Sequence, residues 1–285
     1  MSNIDLTGKV AIVTGASRGM GREMADAIIE AGGRAGLMSP DVSELEQTVA
    51  DINAARGAGK ALALPYDISD YAQCELARNE TIKAFGGLHM VVNNAALGQL
   101  NVVARDATDT SINFWETDPL RWGQVIRVNV VGTYNMCRAV TPHLIKQKWG
   151  RLVNVTTSLG TIQRKGNAPY GPSKGAIEAE TLIFAEELDG TGVTCNSLIP
   201  GGAAATAFVP KNFLTERKLV DPGVMRTPIV WLASELSDGH TGGRYVGNRW
   251  DETLAPDKAA AGALEAPVYR TPEGAQRASR EWDRR

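Results

Sequence analysis

Short apolar runs alternate with longer stretches whose apolar residues recur at helical spacing, and the alternation continues along most of the chain. Lys9 to Thr14, Arg34 to Ser39, Ala61 to Tyr66 and Leu88 to Asn93 read as the first four strands. Helices are expected between them, over Gly19 to Ala31, over Val42 to Arg56, and in a third stretch ending near Phe85. Beyond a connection from Leu97 to Asp118, a long helix in one or two parts is expected over Pro119 to Lys148. Arg151 to Thr156 and Val193 to Ile199 read as strands on either side of a helix over Pro169 to Leu188. Pro222 opens a further helix towards Ser234, at a position where its missing N–H costs little. Tyr245-Val246 reads as a last short strand. Strands alternating with helices point to βαβ units, hence a parallel sheet covered by helices on both faces.

No linker interrupts this series, so residues 1–250 read as one α/β domain. From Asp251 to Arg285 the composition shifts to Ala, Pro, Glu and Arg. That tail is expected to be partly ordered, to wrap the domain or a partner subunit, and to carry no chemistry. The Leu97–Asp118 connection is long for a compact domain, a property of functional or mobile loops.

Composition narrows the possibilities without deciding them. Of 285 residues, 43% are apolar and 22% charged, as in ordinary globular proteins, and the net charge is −2. Such a balance gives no electrostatic footprint for nucleic acid or an anionic membrane. No apolar run is long enough to span a bilayer, and the N-terminus lacks the basic and apolar regions of a signal peptide, so a cytoplasmic protein is expected. Cys74, Cys137 and Cys195 are scattered and odd in number, which suits a reducing compartment. His89, His143 and His240 lack metal-ligand spacing, and no metal is expected.

Two stretches carry candidate chemistry. In Tyr170-Gly171-Pro172-Ser173-Lys174 a phenol and an ammonium share one face of a helix, so the cation can favour the phenolate and tune the phenol for acid-base work. Between the first strand and its helix lies Thr14-Gly15-Ala16-Ser17-Arg18-Gly19-Met20-Gly21. Glycines there let the backbone approach a phosphate at the positive end of the helix, although the spacing is G-x-x-x-G-x-G rather than the usual G-x-G-x-x-G.

Together with Asp67-Ile68 after the third strand, Asn93-Asn94-Ala95-Ala96 after the fourth, Asn129, and Pro200-Gly201 after the sixth, these motifs resemble a classical short-chain dehydrogenase/reductase over about residues 7 to 250. The resemblance implies a Rossmann-type, doubly wound sheet with a nicotinamide cofactor across the carboxyl ends of the strands. Gly15, Ser17, Arg18, Gly19, Met20 and Gly21 would then hold the cofactor's phosphates, and Asp67 and Ile68 its adenine. Asn94, Ala95 and Ala96 would line its ribose. Pro200, Gly201, Ala203 and Thr206 would flank the nicotinamide. Tyr170 would exchange a proton with a ketone or secondary alcohol; Lys174 would hold the nicotinamide ribose and lower the Tyr170 pKa. Asn129 would order a water linked to Lys174.

Three departures leave questions open. The family's serine, thirteen residues before the tyrosine, is here Thr157, with Ser158 next to it. Spacing favours Thr157 and usual chemistry favours Ser158, and neighbouring strand residues face opposite ways. Ala96 stands where glycine is usual. Ser39 stands where an acid would read the 2′-hydroxyl of NAD, while Arg18 suits a 2′-phosphate, so NADP(H) is the expected cofactor, with Asp41 arguing mildly for NAD(H).

Phe114, Trp115, Asp106 and Asp109, the segment Gln163-Arg164-Lys165, and Phe213 with Leu214 are candidates for the substrate pocket. The resemblance further implies a homodimer or homotetramer built on the long helices. The competing reading is a non-catalytic dinucleotide sensor or scaffold of the same fold; the presence of both Tyr170 and Lys174 weighs against it.

Overall fold

The computed structural model describes residues 4–103, 111–208 and 219–269. Its strands are β1 (Val10–Thr14), β2 (Arg34–Met38), β3 (Ala61–Leu64), β4 (Met90–Asn93), β5 (Gly150–Val155), β6 (Val193–Ile199), β7 (Arg244–Val246) and β8 (Leu264–Glu265). They form one sheet in the order β3-β2-β1-β4-β5-β6-β7-β8. Neighbours from β3 to β7 run parallel, and β8 pairs antiparallel with β7.

Both faces of the sheet are apolar because both are covered. In β1, Ala11 and Val13 face one core layer and Ile12 the other; in the paired β4, Met90 and Val92 face the first and Val91 the second. The first layer is closed by α1 (Gly19–Glu30), α2 (Val42–Arg56) and α8 (Arg226–Leu232), the second by α3 (Tyr71–Phe85), α5 (Gly132–Lys146) and α7 (Tyr170–Glu187). Local signals set the helix starts. The Asp41 and Asp70 carboxylates accept from Glu44 N and Ala72 N at α2 and α3. Asp118 does the same for Leu120 N where Pro119 opens α4 (Pro119–Ile126).

The structure refines the expected elements in three places. The long helix changes its hydrogen bonding part-way: α4 runs through a π-turn, Arg127–Val131, before α5 begins. A short helix, α6 (Leu159–Ile162), follows β5. The tail contributes to the sheet, through α9 (Pro256–Ala263) and the antiparallel β8, so the sheet is parallel only as far as β7.

Strand order reverses between β1 and β4, the two strands that carry the glycine turn and the Asn93–Ala96 segment at their carboxyl ends. In an open α/β sheet the crevice outside that point is where ligands bind.

Candidate active site

A cavity of about 500 Å³ opens at this crevice. Its floor is the glycine turn. Gly15 has φ +62°, and a Cβ there would stand 2.7 Å from Ala95 Cα. A Cβ on Gly21 would meet Gly15 O at 2.3 Å, so only glycine lets α1 start this close to the turn. No side chain caps α1, which leaves its first N–H groups directed at the cavity. Opposite, Asn94 Nδ2 donates to Thr14 O at 2.9 Å and Gly15 O at 3.1 Å, and Thr14 Oγ1 accepts from Asn94 N and Ala95 N, each at 3.0 Å. These bonds fix the ends of β1 and β4 against each other. The cradle and the free helix terminus fit the pyrophosphate of a dinucleotide.

At one end of the cavity, Asp67 and Ile68 form a wall beside Ser39, Pro40 and Asp41. Arg18 is here, but its guanidinium is already engaged. Nη1 pairs with Glu44 Oε2 at 2.6 Å and lies 3.9 Å from Asp41. Ser17 Oγ donates to the same Glu44 oxygen at 2.9 Å.

At the other end stand Tyr170 and Lys174, one helical turn apart on α7. Lys174 is buried, and its Nζ donates to Val155 O at 2.8 Å. Burial pulls its pKa down to about 8, against a raising influence from Glu178. Burial also pushes the Tyr170 phenol well above its ordinary value, while the hydrogen-bonded Thr157 side chain and the Arg164 charge work the other way. The lowering expected from the Lys174 cation is outweighed here by burial of the phenol. Nζ lies 5.9 Å from the ring centroid, held by a carbonyl, and desolvation dominates.

Thr157 and Ser158 both lie past the end of β5, and they diverge. Thr157 meets the Tyr170 phenol. Ser158 occupies the N-cap of α6, and its Oγ is 2.9 Å from Thr161 Oγ1. Asn129 is fully buried in the π-turn. Its side chain accepts from Leu97 N at 2.7 Å and donates to Leu97 O at 3.0 Å and Ser173 Oγ at 2.9 Å. It therefore ties the segment after β4 to α7, with no direct bond to Lys174.

A sequence model of the family described as short chain dehydrogenase matches residues 9–217. The chain belongs to that family. Among curated relatives of this short-chain dehydrogenase, the 3-oxoacyl-[acyl-carrier-protein] reductase of Vibrio harveyi is 30% identical over 246 residues, 81% of this chain and 92% of that one. The 2,5-dichloro-2,5-cyclohexadiene-1,4-diol dehydrogenase of Sphingobium indicum is 29% identical, covering 83% and 93%. A solved short chain dehydrogenase of Shigella flexneri 2a, complexed with NADP, superposes with a TM-score of 0.76 at 27% identity over 87% of this chain and all of that one. The 3-ketoacyl-(acyl-carrier-protein) reductase of Brucella melitensis, complexed with NADH, gives 0.74 at 26% identity, over 84% and 96%.

Most of the residues expected to hold the cofactor line the cavity of this short-chain dehydrogenase: Gly15, Ser17, Arg18, Gly19 and Met20 from the turn, then Ser39, Asp67 and Ile68, Asn94 to Ala96, and Thr206. Pro200, Gly201 and Ala203 stand off its wall; Asn248 packs on Gly201 and donates to its carbonyl at 3.2 Å. Among the pocket candidates, Phe114 and Trp115 form an exposed edge-to-face pair away from the cavity. Asp106, Asp109, Phe213 and Leu214 lie outside the described residues. Beside Tyr170, an aromatic that does reach the cavity is Phe208, with its ring 5.5 Å from that of Tyr170 and against Gly98. No local motif marks it. Glu44 also escaped the sequence reading; it is the third residue after the Asp41 cap, a place where a carboxylate is common, but its pairing with Arg18 shows only in space.

Proposed function

We propose that the protein is an NADP(H)-dependent oxidoreductase that transfers a hydride between the cofactor and a medium-sized ketone or the corresponding secondary alcohol. One observation carries this reading: the Tyr170 phenol, one turn from Lys174, shares a cavity with the glycine turn. A nicotinamide dinucleotide, when bound, supplies or accepts the hydride. Every other element of the reaction belongs to side chains described above. Tyr170, kept protonated by burial, gives its proton to the substrate oxygen as charge develops there. The Thr157 hydroxyl stabilises that oxygen as a hydrogen-bond donor. Lys174 holds ribose hydroxyls, and its ammonium stabilises the phenolate left behind. Asn129 braces the segment after β4 and α7, and orders a water linked to Lys174. Leu97, Leu100, Val128 and Phe208 give the substrate side of the cavity an apolar wall, which suits a ketone with hydrocarbon substituents.

For the cofactor, the absence of an acid at Ser39 and the presence of Arg18 favour the 2′-phosphate. Arg18 is more than half exposed and can exchange Glu44 for that phosphate. In the same reading the protein is cytoplasmic, with its three cysteines buried and unpaired. It is also a homodimer or homotetramer: Val131, Tyr134, Ile145 and Ile183 leave apolar side chains exposed along the π-turn, α5 and α7.

The test is cofactor oxidation across a panel of ketones, with reduction followed across the matching alcohols. Tyr170→Phe should lower kcat by about 10²- to 10⁴-fold while leaving dinucleotide affinity intact. Full activity in that variant, or no dinucleotide binding by the native protein, overturns the proposal.

A further inference from the structure

Three consecutive residues at the end of β5 are each held by a different charged side chain. Lys174 Nζ bonds Val155 O at 2.8 Å. The Thr156 hydroxyl donates to Glu178 Oε1. Arg244 Nη2 donates to Thr157 O at 2.7 Å. Glu178 lies one turn beyond Lys174 on α7, and Arg244 comes from β7 on the far side of β6.

Arg244 and Glu178 form an ion pair, Nε to Oε1 at 3.0 Å, with both side chains 2% exposed. The second Glu178 oxygen accepts from Ser197 Oγ at 3.2 Å. The remaining arm of Arg244 reaches the Glu265 carboxylate on β8, which Arg249 also bonds at 3.0 Å. The planar guanidinium thus spans α7, the β5 end and the last strand at once, which the point charge of a lysine could not do.

Removing two charges from water is costly, and apolar residues in place of a buried pair are commonly neutral or stabilising. A buried pair is therefore weak evidence of a stabilising role, and its geometry is the better guide to what it does. What it does fix is the backbone of Thr157, immediately beside the hydroxyl that meets Tyr170.

We infer that Arg244 is a positioning residue of the reaction: with Glu178 as its counter-charge and Glu265 as its anchor, it sets the backbone that aims Thr157 at the reacting oxygen. The inference rests on the proposed role of Thr157. It also assigns work to the tail, whose Glu265 reaches the active-site strand through one side chain.

A double-mutant cycle on kcat tests it, using Arg244→Gln and Thr157→Val singly and together, with dinucleotide Kd measured for each. Arg244→Gln should lower kcat by about tenfold to a hundredfold, the scale of a misplaced reacting group, with Kd changed by less than about threefold. In the Thr157→Val background the same substitution should cost less than about twofold, because the group it aims is gone. An equal loss in both backgrounds overturns the inference while leaving the proposed reaction standing. A Thr157→Val variant with native kcat overturns the role of Thr157 and the inference with it, again without touching Tyr170. If Arg244→Gln fails to bind dinucleotide or to fold, Glu265→Gln replaces it, since that carboxylate is 34% exposed and only the outer arm is released. Its expected loss is a few-fold in native protein and none with Thr157→Val; no loss, or the same loss in both, overturns the inference.

Discussion

Lys174 offers the sharpest test of the site, because its burial sets the pH at which the cation disappears. Its ordinary pKa is 10.5, and burial brings it to about 8. That difference corresponds to roughly 3 kcal/mol at about 1.36 kcal/mol per tenfold change in proton affinity. For activity, the ammonium fraction should fall tenfold per pH unit above about pH 8, reaching roughly one per cent by about pH 10. Ketone reduction should follow it, since the ammonium stabilises the phenolate that Tyr170 becomes. The assay is kcat/KM for the dinucleotide from about pH 6 to about pH 10, which reports groups of the free protein. Lys174→Arg keeps its charge over that whole range, so whatever activity it retains should lack the alkaline limb. A limb near pH 8 that persists in Lys174→Arg would refute the assignment, as would a flat native profile.

The same residue bears on stability, with a definite sign. Below about pH 8 folded and unfolded chains both carry the lysine proton, and the cost of burying the charge is fully felt. Between about 8 and 10.5 the folded chain releases its proton while the unfolded chain keeps it, so this residue's contribution to stability rises with pH. Lys174→Met should therefore stabilise the fold at neutral pH while abolishing turnover. Leaving Val155 O without a donor returns about 1 kcal/mol or more, so the net gain should not exceed about 2 kcal/mol. Denaturant unfolding at pH 7 measures it.

Other expectations follow from contacts already described. Thr157→Val should lower kcat by about 10²- to 10³-fold, the usual loss of an oxyanion donor, whereas Ser158→Ala should stay within about twofold. Steady-state kinetics decides, and the reverse ranking would reassign the donor. Glu44→Gln should release Arg18 while still offering Ser17 an acceptor. An exposed pair of this kind is worth about 0.2–1 kcal/mol, so NADPH Kd should tighten by about 1.4- to 5-fold with NADH little changed. Fluorescence titration with both nucleotides would expose a preference of the opposite sign. Gly21→Ala drives a methyl against Gly15 O and should weaken dinucleotide binding by at least about tenfold through a displaced turn, as read by calorimetry.

How much of this could be read from the chain depends on whether the signal is local. The glycine turn, the Asn94 segment and the Tyr170–Lys174 pair were legible because each sits at a strand end or on one helical turn, where spacing alone fixes direction. The choice between Thr157 and Ser158 was not, because it turns on where β5 stops and on Ser158 being taken up by α6. Strand alternation no longer governs residues past the last ladder bond. The desolvation that raises the Tyr170 pKa was hidden for a similar reason: proximity of a cation is visible in the sequence, but loss of solvent around the phenol is not. Arg244 and Glu178 gave no warning either, being separated by 66 residues and by an intervening strand. Composition alone left the tail's elements unassigned. Its Ala- and Pro-rich stretch hides an N-terminal proline that starts α9, and two residues suffice for β8.

Those two residues have an effect out of proportion to their number. A terminal parallel strand presents a ladder of unused amide and carbonyl groups, which other chains can template on. In this molecule Leu264 and Glu265 cap that ladder opposite Tyr245 and Arg244. Shortening the chain ahead of Leu264 would bare the rim of β7, so loss of solubility, rather than loss of an ornamental extension, is the hazard any truncated form has to meet.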